Sequence, residues 1–389
     1  MSIFASQQVR IKIPNKVLVI STRQIGDALL TTPLIHSLRL SYPTAQIDVL
    51  VFVGKDGVLA GNADINQVIS VSEKPSRLEY WQTIRRIFKQ YDVAFITQAS
   101  DRGHVYGLLA AKQRVGLIPQ KISHHWWKKI TCAAWQVLDD ENTHTVTQNL
   151  LLAECVGLNL NFTVTTPKSP QSADFLKQTF NIDVGKLNYV VIHPYPMWQY
   201  KLWTIAGWQT VIKHLHNLNL HVVISCGNAE NELRYCNKVA ALFSSMVTNL
   251  AGKTSFSDAT CLIQSAKVYI GMDTVMTHLA AATGTRTLAI FGPTNPIKWA
   301  PWPVGYADKK SPWQRHSTQY QLVNNVMLLQ GSGDCVPCHK AGCDDNNNSH
   351  SQCLEELPAE RVIDALTILL KNIPENTSHR KIIPICVSS

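Results

Sequence analysis

Residues 268–301, VYIGMDTVMTHLAAATGTRTLAIFGPTNPIKWAP, constrain the fold more than any other stretch of this chain. Val268 to Gly271 is a short β-branched and aromatic run closed by glycine, which predicts a buried strand. Asp273 or Thr274 then offers a helix cap, and Met276, Leu279, Ala280 and Ala281 follow at helical spacing until Gly284 stops the turn. Thr287 to Phe291 predicts a second buried strand, and Gly292 to Pro296 is a loop that cannot continue a sheet. Such a strand–loop–helix–strand unit belongs to open α/β sheets, where ligands sit at the carboxyl ends of strands and helix N-termini favour anions. A phosphate-bearing ligand is the expectation.

The same grammar recurs near the start. Lys16 to Ser21 is a compact apolar run, followed by the turn Thr22–Asp27 and then ALLTTPLIHSLRL. Leu29, Leu30, Leu34, Ile35, Leu38 and Leu40 there predict one helix with an apolar stripe. Neither Gly-x-Gly-x-x-Gly nor Gly-x-x-x-x-Gly-Lys occurs in this turn, which argues against a nicotinamide dehydrogenase and a nucleoside triphosphatase. Asp27 reads either as a helix cap or as a carboxylate presented to a ligand, and Arg23 either as a phosphate contact or as surface charge. Further strands are expected at 47–53, 68–71, 93–98, 114–117, 189–193 and 221–225, with helices near 78–90 and 358–370. This alternation predicts mostly parallel sheets covered by helices.

A chain of 389 residues exceeds what one core usually serves. The proline-bearing stretch around Thr163 to Pro170 marks the boundary, giving a first domain over 1–165, a linker over 166–187 and a second domain over 188–357. The closing helix and a loose tail occupy 358–389. Residues 1–135 hold 17 Lys and Arg against 8 Asp and Glu, so this third carries the whole net charge of +9. Its field suits an anionic partner, unless it is ordinary solubility charge. Within it, KISHHWWKKI (121–130) sets Trp126 and Trp127 beside Lys128 and Lys129, a composition suited to a membrane interface or to a partly buried core segment. Single-stranded nucleic acid favours similar residues, but no nucleic-acid-binding pattern accompanies them, so none is expected as a partner. The start, MSIFASQQVRIKIPN, lacks a signal-peptide core and no long apolar run occurs, so a cytoplasmic protein with reduced thiols is expected. Cys335, Cys338, Cys343 and Cys353 are a candidate structural metal set in segment 335–353, with free thiols as the alternative.

GMDTVMTHLAAATGTRTLAIFGPTNPIKWAP resembles the donor signature of glycosyltransferase family 9, the lipopolysaccharide heptosyltransferases: an Asp-Thr-Gly, a His-Leu-Ala-Ala-Ala and a Phe-Gly-Pro-Thr. Val275 stands where the family usually has glycine, and its β-branch opposes positive φ and close backbone approach. The resemblance extends over most of the chain. It implies a GT-B fold, in which two Rossmann-like domains face across a cleft, the first for acceptor and the second for donor. It further implies inverting transfer of L-glycero-D-manno-heptose from ADP-heptose to the lipid A–inner core acceptor, at the cytoplasmic face of the inner membrane, without a cofactor or catalytic metal. Asp27 is then the base that deprotonates the acceptor and Lys201 reaches the donor pyrophosphate. Glu230, or Glu232, faces the sugar, and residues 249–256 form the adenine-side loop. Thr274 and Thr277 would hold the diphosphate through amides and hydroxyls. Asp273 would orient the loop or meet sugar hydroxyls, and His278 would pack or touch phosphate. Alternatives are a family member with another nucleotide sugar or a later core acceptor, and a silent nucleotide-sugar-binding protein.

Overall fold

The computed structural model describes residues 9–121, 125–243 and 246–371. The N-terminal half builds a six-stranded sheet from β1 (Lys16–Ser21), β2 (Gln46–Phe52), β3 (Gln67–Val71), β4 (Tyr91–Ile96), β5 (Ala111–Ile118) and β6 (Ala134–Val137). Its order is β3-β2-β1-β4-β5-β6 and every pairing is parallel, with Val17 beside Ile47 and Ile20 beside Ile96. A parallel sheet needs covering on both faces, which is why its central strands are apolar almost throughout. Leu18, Ile20, Leu50 and Ile96 pack with Ile87, Tyr106 and Ala110 from the helices Arg77–Ile87 and Asp101–Ala110. Val17, Val19, Val49 and Phe95 face the helices Thr32–Ser41 and Thr145–Glu154 on the other side, through Leu34, Leu38, Val146 and Leu150.

The second sheet comprises β7 (Tyr189–His193), β8 (His221–Ile224), β9 (Val247–Asn249), β10 (Tyr269–Met272), β11 (Thr287–Phe291), β12 (Tyr320–Val323) and β13 (Val326–Gln330). Its order is β12-β13-β11-β10-β7-β8-β9, parallel except for the antiparallel edge pair β12–β13. In both sheets the order reverses beside the first strand, between β1 and β4 and between β7 and β10. That topological switch point is where α/β sheets open a crevice for ligands. One apolar cluster runs from sheet to sheet, joining Val19 and Leu34 to Val191, Leu262, Met276, Leu279 and Trp302.

Some elements differ from the sequence expectation for identifiable reasons. The single helix expected over residues 28–40 is two, Ile25–Leu29 and Thr32–Ser41, with Pro33 near the start of the second, and Leu40 is 59% exposed. The helix near 78–90 runs Arg77–Ile87, because Ser76 caps it and Glu79 closes the capping box. The stretch 166–187 contains a helix, Ser172–Phe180, whose Leu176 enters the shared cluster and whose Ser172 hydroxyl donates to Asp258 at 2.6 Å. Helix Asp101–Ala110 was not expected, since it buries glycines: a Cβ on Gly107 would meet Ile96 Cδ1 at 2.7 Å. Helix Ala359–Lys371 closes the chain with Val362, Ala365, Leu366 and Leu369 inward. The loose tail beyond it, and Ile122 to His124 of the aromatic-basic segment, lie outside the described residues.

Candidate active site

A cleft of about 1110 Å³ separates the carboxyl edges of the two sheets. The turn after β1 lines it with Arg23 to Asp27, and the loops after β7 and β10 line it with Tyr195, Tyr200, Lys201, Asp273, Thr274 and His278. These residues share a cavity because each sheet delivers its switch-point loops to the same edge.

On the first-domain side, Gln24 begins the helix Ile25–Leu29, and its amide donates to Asp27 Oδ2 at 3.2 Å. Arg23 Nη1 stands 4.0 Å from Asp27 Oδ1, and its guanidinium lies 5.8 Å from the centre of the Trp299 ring. Burial pushes the Asp27 carboxyl above the ordinary aspartate range, while Arg23, the Gln24 amide and Lys298 oppose the shift without reversing it. A largely buried carboxylate with a raised proton affinity is suited to accepting a proton.

Opposite stands the pair Lys201–Asp273. Lys201, in the turn Gln199–Lys201, places Nζ 2.6 Å from Asp273 Oδ2 at the end of β10. Thr274 caps the helix Val275–Ala282, its hydroxyl accepting from the Met276 amide at 3.2 Å, and Gly284 leaves that helix at φ 78°. His278 is buried with its Cδ2 4.0 Å from where a Gly26 Cβ would lie, so the helix Val275–Ala282 approaches the Asp27 turn. Burial lowers its pKa to about 4, partly offset by Asp273, and its Nδ1 is a buried polar atom without a hydrogen-bond partner.

Several expectations need correction. Thr277 is fully buried and does not line the cleft: its hydroxyl donates to the Met272 carbonyl at 2.5 Å and its amide donates to the Thr274 carbonyl. Glu230 points into solvent, 87% exposed, against Arg234 at 2.5 Å, whereas Glu232, half a turn along, lines the cleft and has its pKa raised by burial. Val275 begins a regular helix without positive φ and packs on the shared cluster, so the objection from positive φ does not arise, while its side chain lines the cleft. Lys128 is no surface lysine. It is 1% exposed, donating to the Ala99 carbonyl at 2.5 Å and pairing with Asp101 at 2.7 Å. Trp127 packs edge-on against His104 at 5.9 Å, while Trp126 is 60% exposed and Lys129 lies 4.6 Å from the centre of the Trp135 ring. None of these four lines the cleft.

Among the described residues no three His, Cys, Asp or Glu side chains gather to hold an ion. Cys335, Cys338, Cys343 and Cys353 are free, and burial with the other three thiols pushes Cys353 up to about 12. Their segment instead supplies His339, Lys340 and Asp345 to the cleft wall. Residue type gave no sign that Tyr195, Tyr200, Asp140, Glu141 and Trp299 also line it.

Two Rossmann-like sheets that present their switch-point loops to one intervening cleft define the GT-B class of glycosyltransferase. Residues 77–321 match the sequence profile of glycosyltransferase family 9 (heptosyltransferase), and the chain belongs to that family. It is 29% identical over 318 residues to lipopolysaccharide heptosyltransferase 3 of Escherichia coli K12, covering 79% of this chain and 91% of that protein. Its fold is similar to that of a family 9 glycosyltransferase from Veillonella parvula, at TM-score 0.73 and 16% identity, over 92% of this chain and 98% of the other. It is also similar to E. coli ADP-heptose lipopolysaccharide heptosyltransferase II, at TM-score 0.68 and 20% identity with the same coverages. Among the described residues no helix is long and apolar enough to cross a membrane.

Proposed function

We propose that this protein transfers L-glycero-D-manno-heptose from ADP-heptose to the inner core of lipopolysaccharide, with inversion at the anomeric carbon. The observation that carries the reading is that Asp27 and the Lys201–Asp273 pair, from the two different sheets, line one cleft. Asp27 takes the proton of the acceptor hydroxyl as that oxygen attacks from the first-domain side. Charge growing on departing ADP meets the Lys201 ammonium and the start of helix Val275–Ala282, where the macrodipole favours an anion. Asp273 holds Lys201 in place, Glu232 replaces Glu230 as the acid on the sugar side, and neutral His278 walls the donor site beside Gly26. Arg23 is placed to meet an acceptor phosphate. ADP release from ADP-heptose, measured with core acceptors carrying none, one or two heptoses, tests the reading. Release dependent on one acceptor supports it and identifies the step. Release with none of them, from folded protein, sinks it in favour of another sugar nucleotide or the silent binding protein.

Because this acceptor is a lipid, we extend the proposal to peripheral contact with the cytoplasmic leaflet through Trp126 and Lys129, which face outward in the basic domain. Sedimentation with anionic vesicles should weaken in Trp126→Ala; undiminished binding removes this part.

A further inference from the structure

Lys298 is absent from the mechanism above, yet it is among the largest fully buried side chains of the molecule. It lies in the short helix Pro296–Trp299 of the second domain, and its Nζ donates to the Asp139 carbonyl of the first domain at 2.9 Å. The Asp140 carboxylate stands 3.4 Å from the same nitrogen. Contacts around it cross between the same two segments in both directions. Asn295 donates to the Glu141 carbonyl at 2.9 Å, the Thr145 hydroxyl donates to the Lys298 carbonyl at 3.1 Å, and His144 Nε2 donates to the Ala300 carbonyl at 2.7 Å. The receiving loop is stiff, since Asp139 Oδ1 accepts the amides of Glu141 and Asn142 and Oδ2 accepts the Thr143 hydroxyl. Next to Lys298 in sequence, Trp299 lies against Arg23, which stands beside Asp27.

We propose that Lys298 is a positioning residue for the transfer: its buried ammonium clasps the 139–141 loop to the 295–299 turn and so sets Arg23 and Asp27 against the donor half of the cleft. The inference rests on the proposed reaction and adds a residue to it. A buried cation that holds a backbone carbonyl and a carboxylate of the other domain fixes their approach more sharply than apolar packing does, because loss of either partner strands a charge. It also lends positive potential to Asp27. The charged groups that act on that carboxylate are Arg23 on its own turn and Lys298 from the second domain; His278, across Gly26, is neutral, and Asp140 and Glu141 line the same cleft.

Lys298→Met keeps an unbranched side chain, one atom shorter, and removes its charge. The expected result is a fall in kcat on the order of 10- to 100-fold, an acid limb of the pH–rate profile displaced to higher pH, and a Kd for ADP within about threefold of the natural protein. Asp140→Asn changes an exposed partner and keeps the cation, so kcat falls while the acid limb stays in place or moves to lower pH. An unmoved acid limb in Lys298→Met, or a limb raised alike in both variants, overturns the proposal. Small-angle scattering supplies a readout free of any substrate: Lys298→Met should be more extended than the natural protein, and superimposable curves would overturn the clasp. Where Lys298→Met does not fold, Asp140→Asn is the test, and an unchanged kcat there overturns the proposal. A natural protein inactive with every donor would refute the proposed reaction and leave the scattering comparison to judge the clasp.

Discussion

Asp27→Asn is the most informative single substitution, since it should separate activity from both stability and donor binding. Asparagine keeps the shape of the side chain and an oxygen able to accept the Gln24 amide, which Asp27 Oδ2 accepts at 3.2 Å. The Thr31 hydroxyl still donates to the residue 27 carbonyl at 2.8 Å, so the short helix Ile25–Leu29 is retained. What is lost is the capacity to take a proton. General-base catalysis contributes about 10²- to 10⁴-fold, so kcat should fall by that factor, which corresponds to about 3–5.5 kcal/mol of barrier. Stability should move the other way. Burial raises the Asp27 pKa, so the native chain binds this proton more tightly than the unfolded chain. The stabilisation this provides is complete below the unfolded value of about 3.9 and is lost as pH rises through the folded value. At pH 7.5 the ionised carboxylate therefore costs stability, and the neutral amide removes the cost. Thermal melts at pH 7.5 should show Asp27→Asn melting higher than the natural protein, by a margin that shrinks in acid. Coupled ADP-release kinetics and calorimetric ADP titration complete the assay, with ADP affinity expected within about twofold because the role proposed for Asp27 lies on the acceptor side. Activity within threefold of natural, or a loss explained by weaker ADP binding or a lower melting point, would refute the assignment of the base.

Lys201→Met strands Asp273, a carboxylate only 8% exposed, and should destabilise the protein by about 3–5 kcal/mol while weakening ADP binding. Adding Asp273→Asn should restore the melting temperature but not the ADP affinity, and restoration of both would show that the pair is only structural. Glu232→Gln should lower kcat/KM for the nucleotide sugar and leave ADP affinity near natural, whereas Glu230→Gln, on the exposed Arg234 pair, should change neither. The reverse ranking in steady-state kinetics would restore Glu230 as the contact. Burial depresses His104, His193 and His278 to about 4 and His144 to about 3. As pH falls below about 6.5 the unfolded chain takes up these protons first, so stability is lost between about 6.5 and 4. Urea midpoints should drop from pH 7.5 to pH 5, and equal midpoints would contradict neutral burial of the four rings.

The parts legible in the sequence are those in which one segment contains its own reason to fold. β1, β7 and β11 have the bounds expected of them because an apolar run wholly buried on both faces is bracketed by polar or glycine punctuation. The turns after β1 and β10 sit in the cleft because the carboxyl edge of a parallel sheet is implied once strand and helix alternate. Misreadings arise where a residue's surroundings come from elsewhere in the chain. Glu230 and Glu232 share a helix start, and choosing between them needs its phase relative to the cleft. Thr277 looks like Thr274 in sequence but faces the core and bonds to Met272. Lysine is almost never buried unpaired, so residue type alone marks neither Lys128 nor Lys298 as a core residue. Lys128 is buried because Ala99 and Asp101 meet it, and Lys298 because Asp139 and Asp140 do, a separation of 159 residues in the case of the Asp139 carbonyl. The two lysines differ in the consequence of that burial. Lys128 joins elements of one sheet's covering, so its loss would loosen one domain; Lys298 joins the two halves of the cleft, so its loss would alter how the base and the donor approach each other.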